Sequence, residues 1–454
     1  MRLVILGGGE SGVGAALLGQ AKGYDVFLSD RNPLKERYLA ILKQADVAFE
    51  EGQHTESLIL NATEVIKSPG IPDTAPLVQK LRTLNVPVIS EIEFAARYTQ
   101  ARLIGITGSN GKTTTTLLTY HLLKTAGLNV GLAGNIGESF ARQVITDTFD
   151  YFVLELSSFQ LDGMYRTRLD TAVLLNITPD HLDRYAHDFK NYVASKFRIL
   201  NQLRPTDSFI YFGENVPTLE ELAIRKPDVY ALPISLETAV SPGGYVRNGQ
   251  LTTQFRDRTF AIDTASLPLQ GPHNSLNMLA AILAAQSMNV PEEAIAEGLR
   301  TFQNAAHRME AVGSVNVRHG QIRFINDSKA TNVDSVFYAL SSMNAPIIWI
   351  AGGQDKGNDY SQLDEVVRQR VKALICLGKD NQKLIDHFGD KLTTIRQTQD
   401  VHEAVQIALE LGHAGDVVLF SPACASFDLF KNYEDRGNQF KAAVKELVRL
   451  VSNE

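Results

Sequence analysis

Cysteine is scarce in this chain: 454 residues hold two, Cys376 and Cys424. Two thiols so far apart make neither a disulfide framework nor a zinc signature. Such sparing use suits a reducing compartment. Cys376 lies in the apolar run Ala373-Leu374-Ile375-Cys376-Leu377, so a buried strand thiol is expected. Long apolar runs are also missing. No stretch of about 18 apolar residues exists, so no membrane insertion is expected. The start, Met1-Arg2-Leu3-Val4-Ile5-Leu6-Gly7, enters a strand and a glycine turn directly. It lacks the apolar core and cleavage site of a secretory signal, and a cytoplasmic location is expected. An excess of basic charge is absent too. The formal net charge of -7 speaks against a non-specific nucleic-acid binder. There is no internal repeat, low-complexity tract or long linker.

What is present is a regular alternation of short apolar runs with helical stretches. That pattern predicts α/β units around mainly parallel sheets, and the length asks for two to four of them. Strands are expected at 3–6, 26–28, 65–68 and 86–90, with a helix at 91–98 leading into a second unit. The second unit opens with a strand at 103–106 and a helix to about 123. Its near-continuous apolar runs at 152–156 and 172–177 suit strands buried on both faces. The stretch 234–268 alternates in polarity and reads as antiparallel excursions on a sheet edge. A third unit starts near Phe302, with strands at 322–326, 347–351, 373–377 and 417–420. The expected domains are therefore 1–92, 93–301 and 302–454. The fold class is α/β: a Rossmann-like N-terminal domain, a central P-loop ATPase-like domain with a mainly parallel sheet, and a Rossmann-like C-terminal domain.

Two glycine-rich loops stand out. Gly7-Gly8-Gly9-Glu10-Ser11-Gly12 follows the first strand, and Asp30 ends the next one. On pattern this is a dinucleotide fingerprint. The glycines let backbone N–H groups approach a diphosphate at a helix N-terminus, and a diphosphate is all the loop requires. A UDP-sugar satisfies it as well as NAD, and a ligand-free tight turn remains the bland alternative. The second loop is Gly105-Ile106-Thr107-Gly108-Ser109-Asn110-Gly111-Lys112-Thr113. A strict Walker loop needs glycine where Ile106 stands. The working parts are nevertheless there: a glycine-rich turn, Lys112 to neutralise phosphates, and the Thr113 hydroxyl to ligate Mg²⁺. No N-K-x-D signature for guanine occurs, which favours ATP over GTP. Past the loop, Glu155 ends an apolar strand, where a carboxylate faces the ligand crevice of an α/β sheet. His181 follows another apolar strand in Asn176-Ile177-Thr178-Pro179-Asp180-His181-Leu182-Asp183. Lys196, in Tyr192-Val193-Ala194-Ser195-Lys196-Phe197, reads by itself as a solvated helix lysine.

Taken together these motifs resemble the Mur ligases of peptidoglycan assembly and their relatives, the folylpolyglutamate synthases. The resemblance runs through all three units. It is carried by the second glycine loop, by Glu155-Leu156-Ser157-Ser158-Phe159-Gln160 and by the stretch from Asn176 to Asp183. It continues in Gly271-Pro272-His273-Asn274-Ser275-Leu276-Asn277, His307-Arg308-Met309-Glu310 and Asn326-Asp327-Ser328-Lys329-Ala330-Thr331-Asn332. It ends in Ser421-Pro422-Ala423-Cys424-Ala425-Ser426-Phe427-Asp428 and Asn432-Tyr433-Glu434-Asp435-Arg436-Gly437. The C-terminal clusters resemble the branch that adds D-glutamate. No Asp-Asn-Pro-Arg stretch of the diaminopimelate- or lysine-adding branch occurs.

The resemblance implies three substrates: UDP-N-acetylmuramoyl-L-alanine, D-glutamate and ATP. The UDP group would meet Glu10, Ser11, Arg31, Asn32, Ser68, Gly70 and Asn135. Because Glu10 is an acid in a diphosphate loop, its carboxylate must point away. ATP would be held by Gly108, Ser109, Asn110, Gly111, Lys112, Thr113, Thr114, Asn277, Arg308 and Asp327. The ligands of Mg²⁺, at two sites, would be Thr113, Glu155, His181 and Lys196. For the lysine the resemblance implies a carbamate, which is anionic and offers the oxygens an ammonium lacks. D-Glutamate would be held by Thr331, Lys356, Ser426 and Tyr433, the last replacing the family's usual Phe. Lys112, His181, Lys196 and Arg308 are the expected catalytic residues. Ligands on three units imply closure that excludes water from an acyl phosphate, and a monomer is expected. Three other readings stay open: a sister amide ligase, an NAD-dependent dehydrogenase built on the first loop and Asp30, and a non-catalytic nucleotide-sugar sensor.

Overall fold

A computed structural model describes residues 1–343 and 345–452 of the protein. Three sheets organise the chain. The first has the order Ala48–Glu51, Asp25–Asp30, Arg2–Leu6, Glu64–Lys67, Val88–Ile89, and every neighbouring pair is parallel. The second has nine strands. Ser208–Phe212, Thr171–Leu174, Arg102–Thr107, Tyr151–Glu155 and Val130–Gly134 lie side by side and parallel. Beyond Tyr230–Ser235 the sheet turns into the antiparallel run Gly243–Arg247, Gln250–Phe255, Arg258–Asp263. That is the expected edge excursion, and its alternating burial suits a sheet with one face in water. The third sheet runs Glu310–Val317, Gly320–Asn326, Val417–Ala423, Ile347–Gly352, Val371–Leu377, Ile395–Thr398. Its first pair alone is antiparallel. Cys376 is buried in the interior of this sheet, as its apolar setting predicts.

These elements form two compact units. One comprises Met1–Pro268 with Ser275–Phe302; the other comprises Leu269–Asn274 and the chain from Gln303 onward. The first therefore holds two sheets over one shared core. Leu3 of the N-terminal sheet and Val13 and Leu18 of the helix Glu10–Ala21 cluster with Phe152 and Leu154 of the central sheet and Phe140 of the helix Phe140–Gln143, together with Ile92, Phe94 and Ala95. The short helix Glu91–Ala95 is the joint. Its Glu91 carboxylate accepts from the Ser139 hydroxyl and the Ala141 amide, each at 2.7 Å. Its Glu93 carboxylate accepts from the amides of Tyr165, Arg166 and Thr167 and from the Thr167 hydroxyl. Both carboxylates are buried, and these donors offset part of the cost of taking them out of water.

The expected strand at 86–90 shrinks to Val88–Ile89, since Pro87 has no N–H to give a ladder. Six strands went unpredicted: Ala48–Glu51, Val130–Gly134, Ser208–Phe212, Tyr230–Ser235, Glu310–Val317 and Ile395–Thr398. Four of them are edge strands, whose open side needs no apolar run. Among the described residues no helix is long and apolar enough to cross a membrane.

Candidate active site

The first glycine loop sits where three adjacent parallel strands end. Gly7 has φ +98°, and a Cβ there would lie 2.5 Å from the Ser68 hydroxyl oxygen. Only glycine lets these two turns close up. Asp30 accepts from the Gly8 amide at 2.6 Å and from the Asn32 amide at 2.8 Å. The acid on which the dehydrogenase alternative rests is thus engaged by backbone amides of the loop and of its own turn. Glu10 opens the helix Glu10–Ala21. Its carboxylate turns to the neighbouring helix Glu36–Gln44, accepting from the Tyr38 hydroxyl at 3.2 Å. Ser11 lies in the same first turn, and Arg31 and Asn32 are exposed just past Asp25–Asp30. Ser68 and Gly70 form the turn after Glu64–Lys67.

The second loop joins the strand Arg102–Thr107 to the helix Lys112–Thr125. Gly111, at φ +85°, is the helix N-cap, and a Cβ on it would meet the Asn277 side-chain oxygen at 2.5 Å. The Lys112 ammonium folds back onto the carbonyls of Gly108 and Ser109, both at 2.8 Å. Asn176, at the end of the adjacent strand, clamps the loop: its side chain accepts from the Asn110 amide, and its carbonyl accepts from the Ser109 amide. The Ser109 hydroxyl donates to the Thr178 carbonyl. Two loop amides are therefore turned inward. Thr113 and Thr114 lie in the first turn of the helix, and Asn277 accepts from the Thr115 hydroxyl at 3.2 Å.

Around this loop stand the expected metal-binding groups. Glu155 is 1% exposed. One carboxylate oxygen accepts from the Asn135 side-chain amide at 2.7 Å; the other is buried with no hydrogen-bond partner. Lys196 is equally buried, and its ammonium donates to the Thr107 hydroxyl at 3.0 Å and the Gly108 carbonyl at 2.9 Å. Burial, seconded by repulsion from Lys112, holds its pKa well below that of a free lysine. His181 has a left-handed backbone, φ +53°. Its imidazole lies 3.5 Å from Asp180 and edge-to-face against Phe159 at 5.1 Å. Among the described residues no three His, Cys, Asp or Glu side chains gather into a metal-binding group. Mg²⁺ does not require one, because it keeps waters and uses one or two carboxylates plus substrate phosphates. The orphaned Glu155 oxygen is a donor of the right kind.

In the second unit the ends of Gly320–Asn326, Val417–Ala423 and Ile347–Gly352 are neighbours. Asp327 and Thr331 follow the first, Ser426 the second and Lys356 the third. Asp327 accepts from the Ser421 hydroxyl at 2.8 Å and the Met309 amide at 3.2 Å. Burial raises its pKa to about 7. Ser426 is buried, while Thr331 and Lys356 are exposed. The helix after Thr331 is capped by Asn332, not by Lys329 or Thr331. Tyr433 opens the helix Tyr433–Ser452, and the Lys329 ammonium lies 3.6 Å from its ring centre. Arg308 is placed next to Met309, whose amide Asp327 holds.

Three family descriptions match the chain: MurD N-terminal domain over residues 2–76, Mur ligase middle domain over 106–285, and Mur ligase, glutamate ligase domain over 307–424. The UDP-N-acetylmuramoylalanine--D-glutamate ligase of Cytophaga hutchinsonii is 51% identical over 98% of this chain and 99% of its own. The chain belongs to the Mur ligase family. The ligase of the same description from Christiangramia forsetii is 48% identical over 98% of this chain and 99% of its own. Among solved structures, the UDP-N-acetylmuramate-alanine ligase MurC of Thermotoga maritima shares the fold, with a TM-score of 0.59 at 18% identity over 98% of this chain and 99% of that one.

As a Mur ligase the chain has the family's three-domain α/β architecture. Most of the expected site residues fall into three groups. Glu10, Ser11, Arg31, Asn32, Ser68 and Gly70 share one sheet end. Gly108 to Thr114, Glu155, Lys196 and Asn277 share another, with Asn135 joining Glu155 here rather than the first loop. Thr331, Lys356 and Ser426 share the third. Three residues given no role from sequence also shape these sites. Asn176 clamps the phosphate loop. Arg184 ties Phe159 to the turn at Pro69 and Gly70. Arg436, 1% exposed, donates to the Ser328 and Cys424 carbonyls. Arg184 and Arg436 look like surface charges in sequence. Asn176 ends an apolar strand, a position that does signal a site.

Proposed function

We propose that this chain is an ATP-dependent ligase that joins D-glutamate to UDP-N-acetylmuramoyl-L-alanine in peptidoglycan precursor synthesis. The observation that carries it is the match, near half identity and over 98% of the chain, to relatives described as that ligase. In this reading the domains are 1–92 for the UDP group, 93–301 for ATP and 302–454 for the incoming amino acid, in a monomeric cytoplasmic enzyme.

The alanine carboxylate attacks the γ-phosphorus of ATP. A phosphorus–oxygen bond forms to the substrate, the bond to ADP breaks, and an acyl phosphate results. Lys112 and Arg308 offset the charge on the transferring group. The D-glutamate amine then attacks the acyl carbon, phosphate leaves, and the amine loses a proton as the amide forms. Thr113, Glu155, His181 and Lys196 would hold Mg²⁺ at two sites, where it would supply electrophilic stabilisation of the phosphoryl group. Lys196 fits that part as a carbamate. Its amine, favoured in the neutral form by burial, would add to CO₂ and release a proton. Asn277 and Asp327 are assigned to ATP with the loop residues Gly108 to Thr114. The first loop with Arg31, Asn32, Ser68, Gly70 and Asn135 is assigned to the UDP substrate. Thr331, Lys356, Ser426 and Tyr433 are assigned to D-glutamate. The deciding experiment is an ADP-release assay with UDP-N-acetylmuramoyl-L-alanine and a panel of amino acids. Release that depends on D-glutamate, with amide product by mass spectrometry, is the expected result. Release driven by another amino acid moves the chain to a sister ligase.

A further inference from the structure

Arg184 touches three pieces of the first unit that the proposed reaction uses separately. It sits in the single turn Leu182–Tyr185, between His181 and Ala186, both with left-handed backbones at φ +53° and +56°. Its guanidinium donates to the carbonyls of Gly70 and Pro69, each at 3.2 Å. Those carbonyls belong to the turn that begins at Ser68, where the UDP substrate is assigned. The same guanidinium lies 4.3 Å from the centre of the Phe159 ring. Phe159 is in the short helix Ser158–Leu161, held by a Ser157–Gln160 capping box just past Glu155. Phe159 in turn meets the His181 imidazole edge-to-face. One side chain thus braces the turn at 68–70, the platform beside Glu155 and the segment of His181. Only a planar, forked cation can reach two consecutive carbonyls and stack on a ring together. A lysine offers one point charge and no face.

We propose that Arg184 is a positioning residue of the ligase reaction. It sets the spacing between the turn assigned to the nucleotide-sugar substrate and the segment of His181, the proposed Mg²⁺ ligand. The inference rests on the function proposed above. A misplacement of about 1 Å between reacting groups costs on the order of 100-fold in rate, and over 100 residues of chain separate these two segments.

The test compares wild type with Arg184→Met, Arg184→Lys and Phe159→Leu. Calorimetry without ATP or metal gives Kd for UDP-N-acetylmuramoyl-L-alanine, and D-glutamate-dependent ADP release gives kcat and each KM. For Arg184→Met we expect Kd to rise about fivefold, kcat to fall at least tenfold, and KM for ATP to stay within twofold. Arg184→Lys should recover only part of the loss, and Phe159→Leu should move the same two quantities. Wild-type kcat and Kd in Arg184→Met overturn the proposal. So does a rise in KM for ATP as large as the change in Kd, because that reports general loosening. Should Arg184→Met not fold, Phe159→Leu decides by the same criteria. If wild type itself releases no ADP with D-glutamate, the proposed function fails, which is a separate outcome read before any variant.

Discussion

At the scale of single residues, Lys196 carries the sharpest expectation. It is a buried amine whose partners are a hydroxyl and a carbonyl, with no carboxylate bonded to it. Such a charge costs stability unless it is neutral or modified. Stability and activity should therefore separate at this position. Lys196→Met fills the volume without a charge, so its midpoint in chemical denaturation should equal or exceed that of wild type. Its ADP release should fall more than 100-fold, because methionine neither forms a carbamate nor ligates Mg²⁺. Lys196→Ala should lose most activity too, and full, bicarbonate-independent activity in either variant removes the carbamate assignment. Glu155→Gln provides the companion case. Gln keeps an acceptor for Asn135 but loses the anion whose second oxygen has no partner, and the Mg²⁺ dependence of the rate should shift to higher concentration.

At the scale of elements, the phosphate loop shows what a sequence can and cannot disclose. Gly111 was legible because a left-handed N-cap against Asn277 admits no side chain. Gly111→Ala should cost about 1–2 kcal/mol of stability from the backbone alone and weaken ATP binding roughly tenfold, read by titration with a fluorescent nucleotide analogue. Glu155 was legible for a different reason: a carboxylate ending a buried apolar strand faces the crevice where α/β sheets bind their ligands. Lys196 was legible only through resemblance. Its burial depends on where Thr107 and Gly108 fall, 89 and 88 residues away, and no local pattern records that. Arg184 and Arg436 were missed likewise, as cations whose partners are distant carbonyls. Edge strands such as Ile395–Thr398 escaped because one unpaired side leaves them polar.

At the scale of the whole molecule, the joint between the first two sheets predicts a pH dependence. Glu91 is fully buried within the shared core; burial, opposed by its bonds from Ala141 and Ser139, raises its carboxyl pKa from an ordinary 4.5 to about 7. One of its oxygens has no partner. The folded protein therefore keeps this proton up to about pH 7, whereas the unfolded chain gives it up near 4.5. Between those values the native state binds more protons, so stability must fall as pH rises. The contribution of Glu91 is neutral below about pH 4.5 and becomes a full penalty above about pH 7. A rise from 4.5 to about 7 corresponds to roughly 3 kcal/mol as an upper bound. Other groups titrate in the same window, Asp327 among them, so the informative quantity is a difference between variants. Glu91→Gln can keep the acceptor for Ser139 and Ala141 and has no charge to bury. Its amide group takes the partnerless place, a fixed cost of about 1–3 kcal/mol at every pH. The unfolding free energy of wild type minus that of Glu91→Gln should therefore decline from about pH 5 to about pH 7 and level off above that. A difference that stays level across that range would show that the joint carries its carboxylate charged without penalty, and that the Ser139 and Ala141 donors suffice to hold it.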